Sequence, residues 1–75
     1  MDVSKMKGYP TLRELRKARY LEVPDLARKV GARENTVYRW ERGLAAPRLA
    51  DALALAEVLK VRVDEVNWWP HGLMD

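Results

Sequence analysis

Residues 24–43 read Pro24-Asp25-Leu26-Ala27-Arg28-Lys29-Val30-Gly31-Ala32-Arg33-Glu34-Asn35-Thr36-Val37-Tyr38-Arg39-Trp40-Glu41-Arg42-Gly43. Leu26, Ala27 and Val30 recur at the spacing of one buried helix face, and Val37 with Trp40 repeats that spacing ten residues on. Gly31 lies between the two segments, where a residue free to take a positive φ stops the first helix and turns the chain sharply into the second. Pro24 suits the first turn of the earlier helix, and the Asp25 carboxylate complements the positive end of its dipole. Gly43 closes the later one, which is expected from about Arg33 to Arg42.

The outer face of that later helix follows from geometry. At about 100° per residue, with Glu34 at zero, Tyr38 falls near 40°, Arg42 near 80°, Asn35 near 100° and Arg39 near 140°. Val37 and Trp40 fall near 300° and 240°, on the opposite side. Two apolar anchors therefore hold the helix while a polar arc looks outward. An α-helix fits the major groove of B-DNA, and this arc carries matching chemistry: Asn35 for adenine, Arg39 or Arg33 for guanine, and Glu34 for the cytosine amino group. Tyr38 offers a ring edge to a thymine methyl and a hydroxyl to phosphate. Read without context, the same residues also describe an ordinary solvated helix face.

Working outward, Thr11 and Glu14 have the spacing of a capping box, and they open a first helix with Leu12 and Leu15 inward that ends near Arg19 or Tyr20. Leu21 is expected in the core. Beyond Pro47, residues 49–59 predict a fourth helix with Leu49, Ala52, Leu53, Ala56 and Leu59 on one stripe, the most hydrophobic helix and the expected spine of the core. Asp64 is placed to cap a short fifth helix through Val66 to about Trp69, stopped by Pro70. Val61-Arg62-Val63 alternates but has no partner segment with which to build a sheet.

Seventy-five residues allow one domain with a marginal core, and no cysteine is present to staple it. One histidine and no cysteine exclude the usual metal sets, and no nucleophile–base pair or phosphate-cradling loop suggests an enzyme. No cofactor is expected. No run of about 18 apolar residues and no apolar leader segment appear, so a cytoplasmic protein without a membrane partner is expected. The net charge of +3 is unevenly spread: residues 1–48 hold 12 basic and 6 acidic side chains, residues 49–75 hold 2 and 5. A basic half around the candidate reading helix suits a phosphate partner, and an acidic half would turn away from it.

From Leu12 to Val66 the chain resembles the Cro and phage-repressor (XRE) type of helix-turn-helix domain. The opening Leu12-Arg13-Glu14-Leu15-Arg16, Leu26-Ala27 with Gly31, Val37 with Trp40-Glu41-x-Gly43, and Pro47 through Leu59 carry the likeness across 55 of 75 residues. The resemblance implies an all-α, compact five-helix, lambda-repressor-like fold with a recognition helix in the major groove, usually binding DNA as a dimer. It places base reading on Arg33, Glu34, Asn35, Tyr38 and Arg39, and phosphate binding around Arg42, the loop after Gly43, and Arg48. The start of the second helix at Val23 and Pro24 is also placed near phosphate. It further implies a structural ion pair between Arg16 and Glu41.

The chain departs from the pattern in three respects. Glu22 and Val23 stand where a serine and a phosphate-binding glutamine are usual, so that side-chain contact is lost. Tyr20 and Lys60 occupy places often held by a helix-ending glycine, which predicts either left-handed backbone there or different helix ends. Arg33 replaces a small capping residue, leaving the third helix to be capped by Asn35 or to fray at its start until phosphate arrives.

The organisation expected is an N-terminal arm over 1–10 with Lys5 and Lys7, the domain over 11–66, and a Trp-rich tail over 67–75. Trp68 and Trp69 require burial, either locally against the first and fifth helices or in a dimer contact; His71 is expected at the surface. Two functions compete. One is a sequence-specific regulator of double-stranded DNA, acting as a small repressor and homodimer. The other is an antitoxin or protein-interaction module of the same fold, gripping a protein partner through its acidic later helices and tail.

Overall fold

The computed structural model describes residues 8–69. Four α-helices follow in order, α1 (Leu12–Ala18), α2 (Val23–Val30), α3 (Glu34–Glu41) and α4 (Leu49–Leu59), and a 3-10 turn spans Val63–Glu65. The expected capping box opens α1. The Glu14 N–H donates to Thr11 Oγ1 at 3.2 Å, and the Thr11 N–H donates to Glu14 Oε1 at 3.0 Å. Both donors would otherwise lack partners at a helix start. These bonds hold the Glu14 carboxyl below its ordinary value of 4.5, the backbone donor of Thr11 contributing most.

Helix ends follow from backbone freedom. Gly31 takes φ +73° after α2, and the Ala32 N–H reaches back to the Ala27 carbonyl at 2.9 Å. Gly43 repeats the device after α3 with φ +74°, the Leu44 N–H donating to the Arg39 carbonyl at 2.9 Å. Tyr20 and Lys60 both adopt left-handed backbone, with φ of 57° and 60°. Their helices thus end as a glycine would end them, at a steric cost of roughly 1–2 kcal/mol per residue.

The core is assembled around α2, which packs on both α3 and α4, while α1 lies against α3. Leu26, Val37, Leu55, Leu59 and Val66 are wholly buried at its centre. Around them stand Leu12, Val23, Ala27, Trp40, Ala52 and Trp68.

Two expectations need correction. The fold is all-helical among the described residues, but it has four α-helices rather than five. In place of a helix from Asp64 to Trp69 there is only the three-residue turn, followed by extended backbone at Val66. A continuing α-helix would join the Val63 carbonyl to the Asn67 N–H. Instead that carbonyl accepts from the Trp68 indole N–H at 2.8 Å, and the Asn67 N–H donates to the Pro10 carbonyl at 2.9 Å. Arg62 completes the turn by binding Asp64 through Nε and a terminal nitrogen at 3.1 and 3.2 Å.

The buried stripe of α4 is also rotated from its expected position. Ala52, Leu55, Ala56 and Leu59 point inward, whereas Leu49 and Leu53 are 72% and 50% exposed. The stripe expected from sequence lies about 45° away around the helix. Leucine and alanine occupy every side of α4, so its own periodicity does not select a face. The flanking α2 and the 3-10 turn, which α4 contacts, do so.

Candidate nucleic-acid interface

The site begins with the seating of α3. Val37 is fully buried and Trp40 is 5% exposed, so the helix is fixed from behind by one β-branched and one indole side chain. Its other side is open: Arg33, Glu34, Asn35, Tyr38, Arg39 and Arg42 are all exposed. All five sequence-derived base-reading residues thus lie on one solvent-facing element or at its N-cap. The Arg42 guanidinium sits over the Tyr38 ring, 6.0 Å from its centroid, at the outer range of a cation–π contact. Sequence reading placed the two on one arc without foreseeing that stacking; their i, i+4 spacing was the available signal.

Behind α3 lies the Arg16–Glu41 pair. Arg16 Nε donates to Glu41 Oε2 at 2.6 Å and its terminal nitrogen to Oε1 at 3.1 Å, while the other terminal nitrogen reaches the Leu21 carbonyl at 2.9 Å. The two side chains are 9% and 5% exposed. Donating hydrogen bonds to the Glu41 carboxylate raises the Arg16 pKa above its ordinary value, against the opposing effect of burial. A charged fork in fixed geometry therefore ties the end of α3 to α1 and to the α1–α2 connection.

Cations surround the open arc. Arg33, Arg39, Arg42 and Arg48 are exposed, and none of the four takes part in an ion pair among the described residues. Arg33 and Arg48 are the N-cap residues of α3 and α4, and neither start is closed by a side-chain hydrogen bond from its cap. No bond from Asn35 closes α3 among the described residues either. Two unclosed helix starts, each led by an arginine, suit anionic oxygens. The start of α2 is different: the Glu22 N–H donates to Asp25 Oδ2 at 3.2 Å, and Arg28 binds Asp25 Oδ1 at 3.0 Å. Sequence reading gave Asp25 a dipole role only; the carboxylates at 22 and 25 were the signal for a capping interaction.

Of the two adjacent tryptophans near the C-terminal end, Trp68 folds into the core, its indole N–H donating to the Val63 carbonyl of the 3-10 turn. Trp69 is 37% exposed. The expected arm lysines Lys5 and Lys7, with Pro70, His71 and the rest of the tail to Asp75, lie outside the described residues. No described helix is long and apolar enough to cross a membrane.

Two helices at a glycine turn, the second displaying polar side chains over a buried apolar back, define the helix-turn-helix class. The helix-turn-helix domain family matches this chain over residues 11–69, and the chain belongs to that family. A relative from Methanothermobacter thermautotrophicus, provisionally named an HTH-type transcriptional regulatory protein, is 38% identical over 53 residues. That match covers 71% of this chain and 17% of the relative, so the chain spans about a sixth of its length. No solved structure gave a significant match.

Proposed function

We propose that this chain is a sequence-specific double-stranded-DNA-binding transcriptional regulator of the Cro and phage-repressor kind, acting as a small cytoplasmic repressor that blocks its operator by occupying it. One observation carries the reading: Asn35, Tyr38 and Arg39 share an exposed arc of α3 whose opposite face is sealed by Val37 and Trp40. In the groove, Asn35 pairs with adenine, Arg39 or Arg33 with guanine, Glu34 with cytosine, and Tyr38 meets a thymine methyl. Arg42 and Arg48 hold phosphate, and the unclosed starts of α3 and α4 add amide donors. The carboxylate-capped start of α2 contributes no such contact, so affinity rests on α3 and the segment from Arg42 to Arg48. The role is one of occupancy rather than catalysis.

The test is selection of bound duplexes from a random pool, followed by titration of the winner in increasing salt. An enriched motif with salt-dependent affinity supports the reading. Recovery of no motif, with retention no greater than that of a protein of equal charge, sinks it.

A further inference from the structure

We propose that two copies of this chain pair through the outward face of α4, antiparallel across a two-fold axis at Leu53, with Arg48 of each copy meeting Glu57 of the other. The outward faces of the other helices are charged or polar: Arg13, Glu14 and Lys17 on α1, Arg28 and Lys29 on α2, and Glu34, Asn35 and Arg39 on α3. On α4 the outward arc instead holds Leu49, Ala50 and Leu53, and Leu44 and Ala46 in the preceding loop add to the apolar exposure. Leu44, Leu49 and Leu53 are 63%, 72% and 50% exposed. Exposed large apolar side chains grouped on one arc mark an association surface.

Charge selects the occupant. Leu49, Leu53 and Glu57 follow one another at i, i+4 on one line of the helix, and Arg48 stands at its N-cap. Neither Arg48 nor Glu57 takes part in an ion pair among the described residues. In an antiparallel pair centred on Leu53, residue 49 lies opposite 57 and residue 48 opposite 58. Arg48 then lies within one residue's rise, about 1.5 Å, of the level of Glu57 in its mate. Two such pairs flank a leucine contact, and the helix dipoles oppose. A parallel arrangement would set Arg48 against Arg48 and Glu57 against Glu57. The strip is thus complementary to itself in one orientation, as an isologous two-fold contact requires. A guanidinium has five donors, so Arg48 can serve a carboxylate and a phosphate together.

The chain contains no cysteine, so a single introduced thiol reports its own encounters. Leu53→Cys lies on the axis and is expected to form a covalent dimer under mild oxidation at least tenfold faster than Tyr20→Cys, although Tyr20 is the more exposed of the two, at 95% against 50%. In sedimentation equilibrium without DNA, the wild type is expected to dimerise with concentration. Leu53→Glu is expected to stay monomeric with an unchanged circular dichroism spectrum. Arg48→Glu and Glu57→Arg each weaken the dimer at least tenfold, and the double swap restores it. Should Leu53→Glu fail to fold, Leu49→Glu and the thiol comparison decide.

A monomer at all concentrations overturns the proposal. So does a Leu53→Cys variant that cross-links no faster than Tyr20→Cys, or one whose thiol is shielded from reagent in a monomer, which would mean that the chain's own ends cover the face. A dimer insensitive to Leu53→Glu also overturns it. None of these measurements includes DNA, so they leave the nucleic-acid reading to its own test.

Discussion

Arg16 and Glu41 lie 25 residues apart in sequence and grip each other through two nearly buried hydrogen bonds, of 2.6 and 3.1 Å. The third bond, to the Leu21 carbonyl, makes this guanidinium a node joining α1, the α1–α2 connection and the end of α3. The orientation of the exposed α3 arc therefore depends on a charge pair on its hidden side. Removing one partner leaves the other charged and desolvated.

Glu41→Ala or Arg16→Ala is expected to cost about 3–5 kcal/mol, measured by urea unfolding. Replacing both together with Arg16→Met and Glu41→Leu should recover most of that loss, because an apolar pair leaves no uncompensated charge. Equal losses for the single and double variants would refute the desolvation account.

On duplex DNA, Arg39→Ala is expected to relax preference at one base position by about 1–3 kcal/mol, while Arg42→Ala weakens all sequences alike and lowers the salt slope by about one. Competition binding against single-base variants of the selected site separates the two. Matching losses on specific and random duplexes for both variants would contradict these roles.

Stability should fall on the acid side through carboxylates held by the fold. Glu14 and Asp64 both have pKa values lowered, by the Thr11 backbone donor and by the Arg62 guanidinium respectively, from ordinary values of 4.5 and 3.8. A lowered folded value means the unfolded chain takes up the proton first. Their contribution is therefore complete above the ordinary values and is lost as pH drops toward the depressed ones. Melting temperature against pH should decline through that window, and Glu14→Gln combined with Asp64→Asn should flatten the decline. An unchanged slope in the double variant would show that other groups govern the acid limb.

Tyr20 holds left-handed backbone while 95% exposed, so its side chain contributes little burial. Tyr20→Gly is expected to stabilise the protein by on the order of 1 kcal/mol, since relief of the Cβ clash outweighs the added freedom of the unfolded chain. Thermal melting reads this directly; a lower melting temperature would mean that the tyrosine ring makes a contact the backbone geometry does not require.

The elements most legible in the sequence are those whose signals are local. A capping box is written within four residues, a left-handed turn within one glycine, and the face of α3 within the contrast between Val37 with Trp40 and the polar residues between them. Tyr20 and Lys60 carry no such local signal and are marked for left-handed backbone by the resemblance, which puts a helix-ending glycine at their places. The fifth helix failed because the Val63 carbonyl is taken by the Trp68 indole, a side chain rather than a backbone donor, and the Asn67 N–H by the distant Pro10 carbonyl. No periodicity within residues 63–69 contains that information.

By itself, then, the sequence determined where α1 to α4 lie and which side of α3 meets solvent, because short-range hydrogen bonding and polarity contrast decide those matters. Only the tertiary structure decided which side of α4 is buried, where Trp68 goes, and that Arg42 stacks on Tyr38. Each depends on what lies opposite. A helix of leucine and alanine gains nearly as much by burying one flank as another, until α2 and the chain beyond Lys60 occupy one of them and leave Leu49 and Leu53 facing water.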